Sequence, residues 1–244
     1  MLLVLWDVDG TLVDSAGHGR YAFEEAFRLV TGRSPERVEF AGRTDHQIAL
    51  AMLEGERDHL PRVLEELAEA LDARKDLMRR EGHVYPGVEE VLEALHDHDG
   101  VIQSLLTGNI EANAAAKVSA FGLERWLDFD VGAYGSDPHE ARSDLVAVAR
   151  ERAAAKHAEP TAVVLVGDTP LDVLAAREAD ARAVAVATGF AELDALRQSQ
   201  PDALLRDLSD TAAAVAAIRG EPPGDHSPPG GDRSPPGDHP PRLA

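Results

Sequence analysis

Leu2-Leu3-Val4-Leu5-Trp6 is an apolar run of strand length that ends abruptly in Asp7-Val8-Asp9-Gly10-Thr11. Consecutive apolar residues, with no polar alternation, describe a strand covered on both faces, as inside a parallel sheet flanked by helices. Open sheets of that type bind ligands at the carboxyl ends of their strands. Asp7 and Asp9 are therefore expected at a crevice, with Gly10 permitting the tight turn by which the chain leaves the strand.

The pattern returns twice downstream. Val101–Leu106 runs into Thr107-Gly108-Asn109, and Ala162–Val166 runs into Gly167-Asp168-Thr169-Pro170-Leu171-Asp172. Shorter runs at 126–131, 183–187 and 203–205 complete six expected strands, separated by helical patterns that include 88–98, a helix ending at Phe121, and 137–157. Strands alternating with helices of this length predict βαβ units, hence an α/β fold with a Rossmann-like parallel sheet and helices on both faces.

The stretch between the first strand and this series carries no strand signal. Tyr21, Phe23, Ala26, Phe27 and Val30 recur at helical spacing, Thr44-Asp45-His46-Gln47 has the form of a capping box, and 60–78 continues as one long helical pattern. Residues 15–83 read as an inserted all-α cap above the carboxyl edge of the sheet, with 1–14 and 84–219 forming the core. The Pro-, Gly- and Asp-rich residues 220–244 read as a disordered tail, in which Asp225-His226 and Asp238-His239 would hold a metal only adventitiously.

With 44 acids against 24 Lys and Arg, the net charge of −20 argues against nucleic acid and anionic membranes as partners. No apolar run reaches membrane-spanning length, and a cleavable leader would remove Asp7, so a soluble, cytoplasmic protein is expected. The chain has no cysteine, so any metal must rest on oxygen or imidazole ligands.

Asp7, Asp9, Asp168 and Asp172 gathered at one sheet edge repel one another unless a cation neutralises them. Oxygen donors select a hard divalent ion, and Mg2+ suits a few carboxylates while keeping positions for water and phosphate. Asp168 reads as a direct ligand. Asp172, one helical turn on, reads as a supporting neighbour, or as an ordinary acid favoured at a helix N-terminus. The Thr107 hydroxyl with the backbone N–H groups of Gly108 and Asn109 forms a plausible phosphate cradle; the same residues also make an ordinary turn into a capped helix.

Together, Asp7-x-Asp9-Gly10-Thr11, Thr107-Gly108-Asn109 and Gly167-Asp168-x-x-x-Asp172 resemble the haloacid dehalogenase-like hydrolases, over roughly the whole chain up to the tail and closest to the phosphoglycolate-phosphatase-like branch. The resemblance implies a Mg2+-dependent phosphatase that hydrolyses a small phosphomonoester through an aspartyl phosphate. Asp7 would be the nucleophile, Asp9 the acid for the leaving oxygen and then the base for water, and Thr107 a donor to phosphate. The metal would bridge Asp7, the Asp9 carbonyl and Asp168.

The family also uses a basic residue, commonly lysine, upstream of the metal-binding aspartate. Lys75 falls in the cap, Lys117 too far upstream and Lys156 too close, so Arg142 takes the expected place, with Lys156 as its substitute. In the cap, Arg43 either reaches down to an anionic substrate or is an exposed arginine beside the capping box. His18, near the hinge, reads as a surface histidine. Gly19 stands where the sugar-phosphate mutases of the branch carry histidine, and Thr44-Asp45 where they carry Ser-Arg, so water is the expected acceptor. A phosphomutase and a catalytically silent phosphate-ligand binding protein are the alternatives.

Overall fold

The computed structural model describes residues 1–40, 42–138 and 141–222. Strand β1 (Leu2–Trp6) lies at the centre of the architecture, and its residues alternate between two cores. Val4 and Trp6 face one side of the sheet, Leu3 and Leu5 the other, as the two-residue period of a strand requires.

After β1 the chain forms a short strand β2 (Val13–Asp14), then helices α1 (His18–Thr31), α2 (Asp45–Met52), α3 (Leu60–Asp72) and α4 (Lys75–Glu81), and returns through β3 (His83–Val84). β2 and β3 pair antiparallel, Val13 opposite Val84 and Asp14 opposite His83, so the helical insertion leaves and re-enters through a two-residue ribbon. The chain continues with α5 (Val88–His96), β4 (Val101–Thr107), α6 (Glu111–Ala120), β5 (Ala133–Tyr134), α7 (Arg142–Lys156), β6 (Ala162–Gly167), α8 (Pro170–Glu178), β7 (Arg182–Val186), α9 (Leu193–Gln198), β8 (Ala203–Leu205) and α10 (Thr211–Arg219).

The main sheet has the order β5-β4-β1-β6-β7-β8 with every pairing parallel. Consecutive connections run one way from β1 to β4 and the other way to β6, so the strand order reverses at β1, which is where a crevice opens in such sheets. Helices α1 to α4 enclose a third core of Phe23, Phe27, Ile48, Met52, Leu67 and Leu71, and Ala116 and Ala120 of α6 complete it. Ala114 and Val118 of the same helix belong to the core beneath the sheet, so α6 is clamped from two sides.

Several expectations need correction. Residues 126–131 form no strand: two 3-10 turns, Leu123–Trp126 and Phe129–Val131, stand there, and the Asp128 side chain caps the second by accepting from Asp130 N at 3.2 Å. The edge strand comes later, at Ala133–Tyr134. The long helix expected over 60–78 is broken at Ala73–Arg74. His83 belongs to the ribbon. Of the helix expected over 137–157, the described part begins at Arg142; His139 and Glu140 lie outside the described residues, as do Asp225-His226 and Asp238-His239 of the expected tail. Helices α9 and α10 were not anticipated. Among the described residues no helix is long and apolar enough to cross a membrane.

Candidate active site

The ends of β1, β4 and β6 bring Asp7, Thr107 and Asp168 to one edge of the sheet. Asp7 N donates to Val166 O at 2.9 Å, continuing the parallel pairing one residue past β1 and fixing the backbone from which the carboxylate projects. Asp168, fully buried, accepts from Thr11 Oγ1 (3.2 Å) on Oδ1 and from Phe190 N (3.1 Å) on Oδ2. Two glycines allow that fit. A Cβ on Gly10, whose φ is +85°, would stand 2.5 Å from Asp168 Oδ2, and a Cβ on Gly189 only 1.7 Å from the same oxygen.

Asp172 opens α8 in a reciprocal capping box: Thr169 N and Oγ1 donate to its Oδ2 at 3.0 and 2.7 Å, and its own N–H donates back to Thr169 Oγ1. Its other oxygen lies 2.6 Å from Arg142 Nη2, which is also 3.2 Å from Asp7 Oδ1. Arg142 thus bridges the acid that opens α8 and the acid that ends β1.

Asp7, Asp168 and Asp172 each offer a carboxylate oxygen within 4.8 Å of the others, all three buried. Burial pushes Asp7 up to about 8: the Arg142 charge opposes the rise, and Asp172, Asp168 and Asp9 add to it. Burial and then the Asp172 charge push Asp168 up to about 7. One guanidinium among these buried acids leaves a deficit of positive charge, and the donors are all oxygen. The site's chemistry therefore fits a hard divalent cation, which would return the acids to the ionised state.

The Asp9 side chain turns the other way. Its Oδ2 accepts from Lys117 Nζ at 2.6 Å and from Asn109 Nδ2 at 2.8 Å. Asn109 also donates to Thr107 Oγ1 (2.9 Å), and its Oδ1 accepts from Lys117 Nζ (2.7 Å), closing a network over the Thr107-Gly108-Asn109 turn. The insertion reaches this turn directly: Asp45 N donates to Gly108 O at 2.9 Å, and the buried Asp45 Oδ2 accepts from Ile110 N at 2.8 Å and from Asn113 Nδ2 at 2.6 Å.

A cavity of about 1110 Å³ lies between the insertion and the sheet edge, with Asp7, Asp9, Lys117 and Arg142 on its floor. Arg20, Phe40 and Arg43 line it from the insertion, and Tyr85 and Phe190 from the core. Arg43 is exposed, beside the Thr44 capping box, and lines the cavity. Lys156 does not: Asp128 and Asp130 hold its ammonium at 2.7 Å each, away from the cavity where Arg142 stands. Nor is His18 a surface histidine. It is buried, and its Nε2 sits 3.0 Å from Glu81 Oε2, joining α1 to α4.

Sequence reasoning set Lys117 aside and missed Asp45, Thr11 and the Gly189-Phe190 backbone. A signal for the lysine was present: Asn109, Asn113 and Lys117 succeed one another at four-residue steps, the last two on one stripe of the helix that follows the phosphate-type turn.

The family model of the haloacid dehalogenase-like hydrolases ("Hydrolase: haloacid dehalogenase-like hydrolase") matches residues 1–180. A phosphoglycolate phosphatase from Synechococcus elongatus is 30% identical over 229 residues, covering 89% of this chain and 99% of the relative. A probable phosphatase, IndB, from Dickeya dadantii is 29% identical over 222 residues, covering 88% and 94%. The crystal structure of CbbY from Rhodobacter sphaeroides in complex with phosphate shares the fold with a TM-score of 0.68 at 20% identity, covering 89% of this chain and 98% of that one. The chain belongs to the haloacid dehalogenase-like hydrolases, in their phosphoglycolate-phosphatase-like branch.

Proposed function

We propose that the protein is a Mg2+-dependent phosphatase that hydrolyses a small phosphomonoester in two steps, with Asp7 carrying the phosphoryl group between them. The observation that carries the reading is the convergence of buried Asp7, Asp168 and Asp172, the first and last of them paired with the Arg142 guanidinium, at the point where the strand order reverses. Asp7, Asp168 and the backbone carbonyl of Asp9 would hold the ion, with Asp172 acting behind them through Arg142. Bound there, Mg2+ supplies the positive charge that keeps Asp7 ionised and offsets the charge of the phosphoryl group in transfer.

In the first step an Asp7 oxygen attacks phosphorus, the bond to the leaving oxygen breaks, and Asp9 gives that oxygen its proton. In the second, water attacks phosphorus, Asp9 takes the water's proton, the bond to Asp7 breaks, and inorganic phosphate leaves. Thr107, the Gly108 and Asn109 amides, and Arg142 orient the phosphate oxygens. The helical insertion serves as a cap, and its Arg20, Phe40 and Arg43 face the leaving group across the cavity.

Water as acceptor is supported by the placement of His18 against Glu81, away from the cavity lining, and by the bare Gly19 beside it. Purified protein should release inorganic phosphate from its best substrate among a panel that includes phosphoglycolate, sugar phosphates and pyrophosphate, and chelation should abolish that release. Phosphorus NMR should show no isomeric sugar phosphate. Conversion of β-glucose 1-phosphate to glucose 6-phosphate faster than phosphate appears would replace the reading with a mutase.

A further inference from the structure

Lys117 has no part in the machinery described so far, yet it is one of the most constrained cations in the molecule. It projects from α6, a helix gripped by the insertion's core through Ala116 and Ala120 and by the sheet's core through Ala114 and Val118. The residue is 6% exposed. Gly19 of α1 roofs the ammonium: a Cβ there would stand 3.7 Å from Nζ, so no side chain intervenes between that helix and the charge. The ammonium gives two of its three donors to Asp9 Oδ2 (2.6 Å) and Asn109 Oδ1 (2.7 Å), and Asn109 Nδ2 adds a second donor to the same Asp9 oxygen at 2.8 Å.

That asymmetry distinguishes the two oxygens of Asp9. Oδ2 accepts two N–H donors and has little capacity left for a proton, whereas among the described residues no donor reaches Oδ1, on a side chain that lines the cavity. We propose that Lys117 is a positioning residue for Asp9: with Asn109 it anchors Oδ2, so that Oδ1 alone passes the proton to the leaving oxygen and then accepts it from water. Arg142 serves Asp7 and Lys117 serves Asp9, one cation for each acid of the first motif. The proposal rests on the phosphatase reading and deepens it.

Leaving groups separate this role from simple charge neutralisation. Nitrophenolate departs without a proton, so attack by Asp7 on p-nitrophenyl phosphate bypasses Asp9, while hydrolysis of the Asp7 phosphate still needs it. In Lys117→Met, rapid-quench measurements should show a burst of one nitrophenolate per site at a rate within about threefold of the parent, followed by steady turnover reduced about a hundredfold, the scale of losing a positioned acid–base group. With an alkyl phosphate the first step should fall by a similar factor. Because the chain has no cysteine, Lys117→Cys can be alkylated at that single position with 2-bromoethylamine, which rebuilds a lysine-length ammonium. At least tenfold recovery of steady turnover is expected, on the same scale. An equal loss of the burst with nitrophenyl and alkyl substrates would overturn the proposal, since it would assign Lys117 to the phosphate. Unchanged turnover in Lys117→Met, or a folded, alkylated protein without recovery, would overturn it as well. If instead Asp7→Asn retains turnover, the phosphatase reading itself fails.

Discussion

Asp45 of the insertion and Asn113 of the core meet at 2.6 Å inside the protein, and the same Asp45 oxygen accepts from Ile110 N at the start of α6. A side chain from one part of the fold therefore satisfies one orphan backbone donor and one side-chain donor of a helix in the other. Asp45→Ala should leave both donors unpaired and cost about 1–3 kcal/mol in thermal or urea unfolding. Asp45→Asn keeps an acceptor oxygen and titrates nothing. Burial raises Asp45 to about 6 against the pull of Lys117, Ile110 N and Asn113, so its proton favours the folded state. That contribution is complete below the ordinary carboxylate range and is lost as pH rises to about 6. The melting temperature of Asp45→Asn relative to the parent should accordingly rise through that window and level off above it.

The acid cluster makes the stability of the metal-free protein depend on pH in the same sense. Asp7 and Asp168 are raised to about 8 and about 7, so the folded state holds protons that the unfolded chain has already released. Stability present at acid pH should be lost as pH rises toward 8. An ion bound at the cluster would compete with those protons, so the increase in melting temperature on adding Mg2+ should be larger at pH 8 than at pH 5.5. A shift independent of pH would argue against a metal at this cluster.

Arg142→Ala removes the cation shared by Asp7 and Asp172. Turnover should fall about a hundredfold, the scale of losing one preorganised donor. Arg142→Lys should recover only part of it, because a strongly hydrated ammonium on a flexible stem replaces the planar guanidinium whose Nη2 meets both acids. Steady-state kinetics on the best substrate of the panel decides both.

Gly189→Ala tests the close approach of the backbone to Asp168. The new methyl would need the space of Asp168 Oδ2. Loss of Mg2+-dependent thermal stabilisation is expected, together with turnover, while circular dichroism at low temperature stays that of the parent.

The central strands were legible because burial on both faces writes itself as unbroken apolar runs, and the abrupt acids at their ends marked the site. The failures have local causes. β5 is two residues long at the sheet edge, too short to carry a period, and the apolar residues before it belong to 3-10 turns. Thr211–Arg219 is dominated by alanine, which favours helix without showing which face is buried. Counting along the chain toward Asp168 excludes Lys117, whereas its position is set by α6, whose first turn closely follows the motif residue Asn109. His18 was misjudged because its partner Glu81 lies at the far end of the insertion, beyond three intervening helical segments.

The ribbon of Val13–Asp14 and His83–Val84 has a consequence for how such a chain diversifies. Both ends of the insertion are stapled side by side, so everything between them leaves the core at one place and meets it again through α6 and Asp45. Changes among the residues that line the cavity from the insertion leave the order of the sheet and the carboxylates at its edge in place, so long as Asp45 and the packing on α6 are kept. Selection can rewrite what enters the cavity while inheriting the reaction intact, and a laboratory exchange of the residues between the two ribbon strands for those of a relative should transfer substrate preference in a single step.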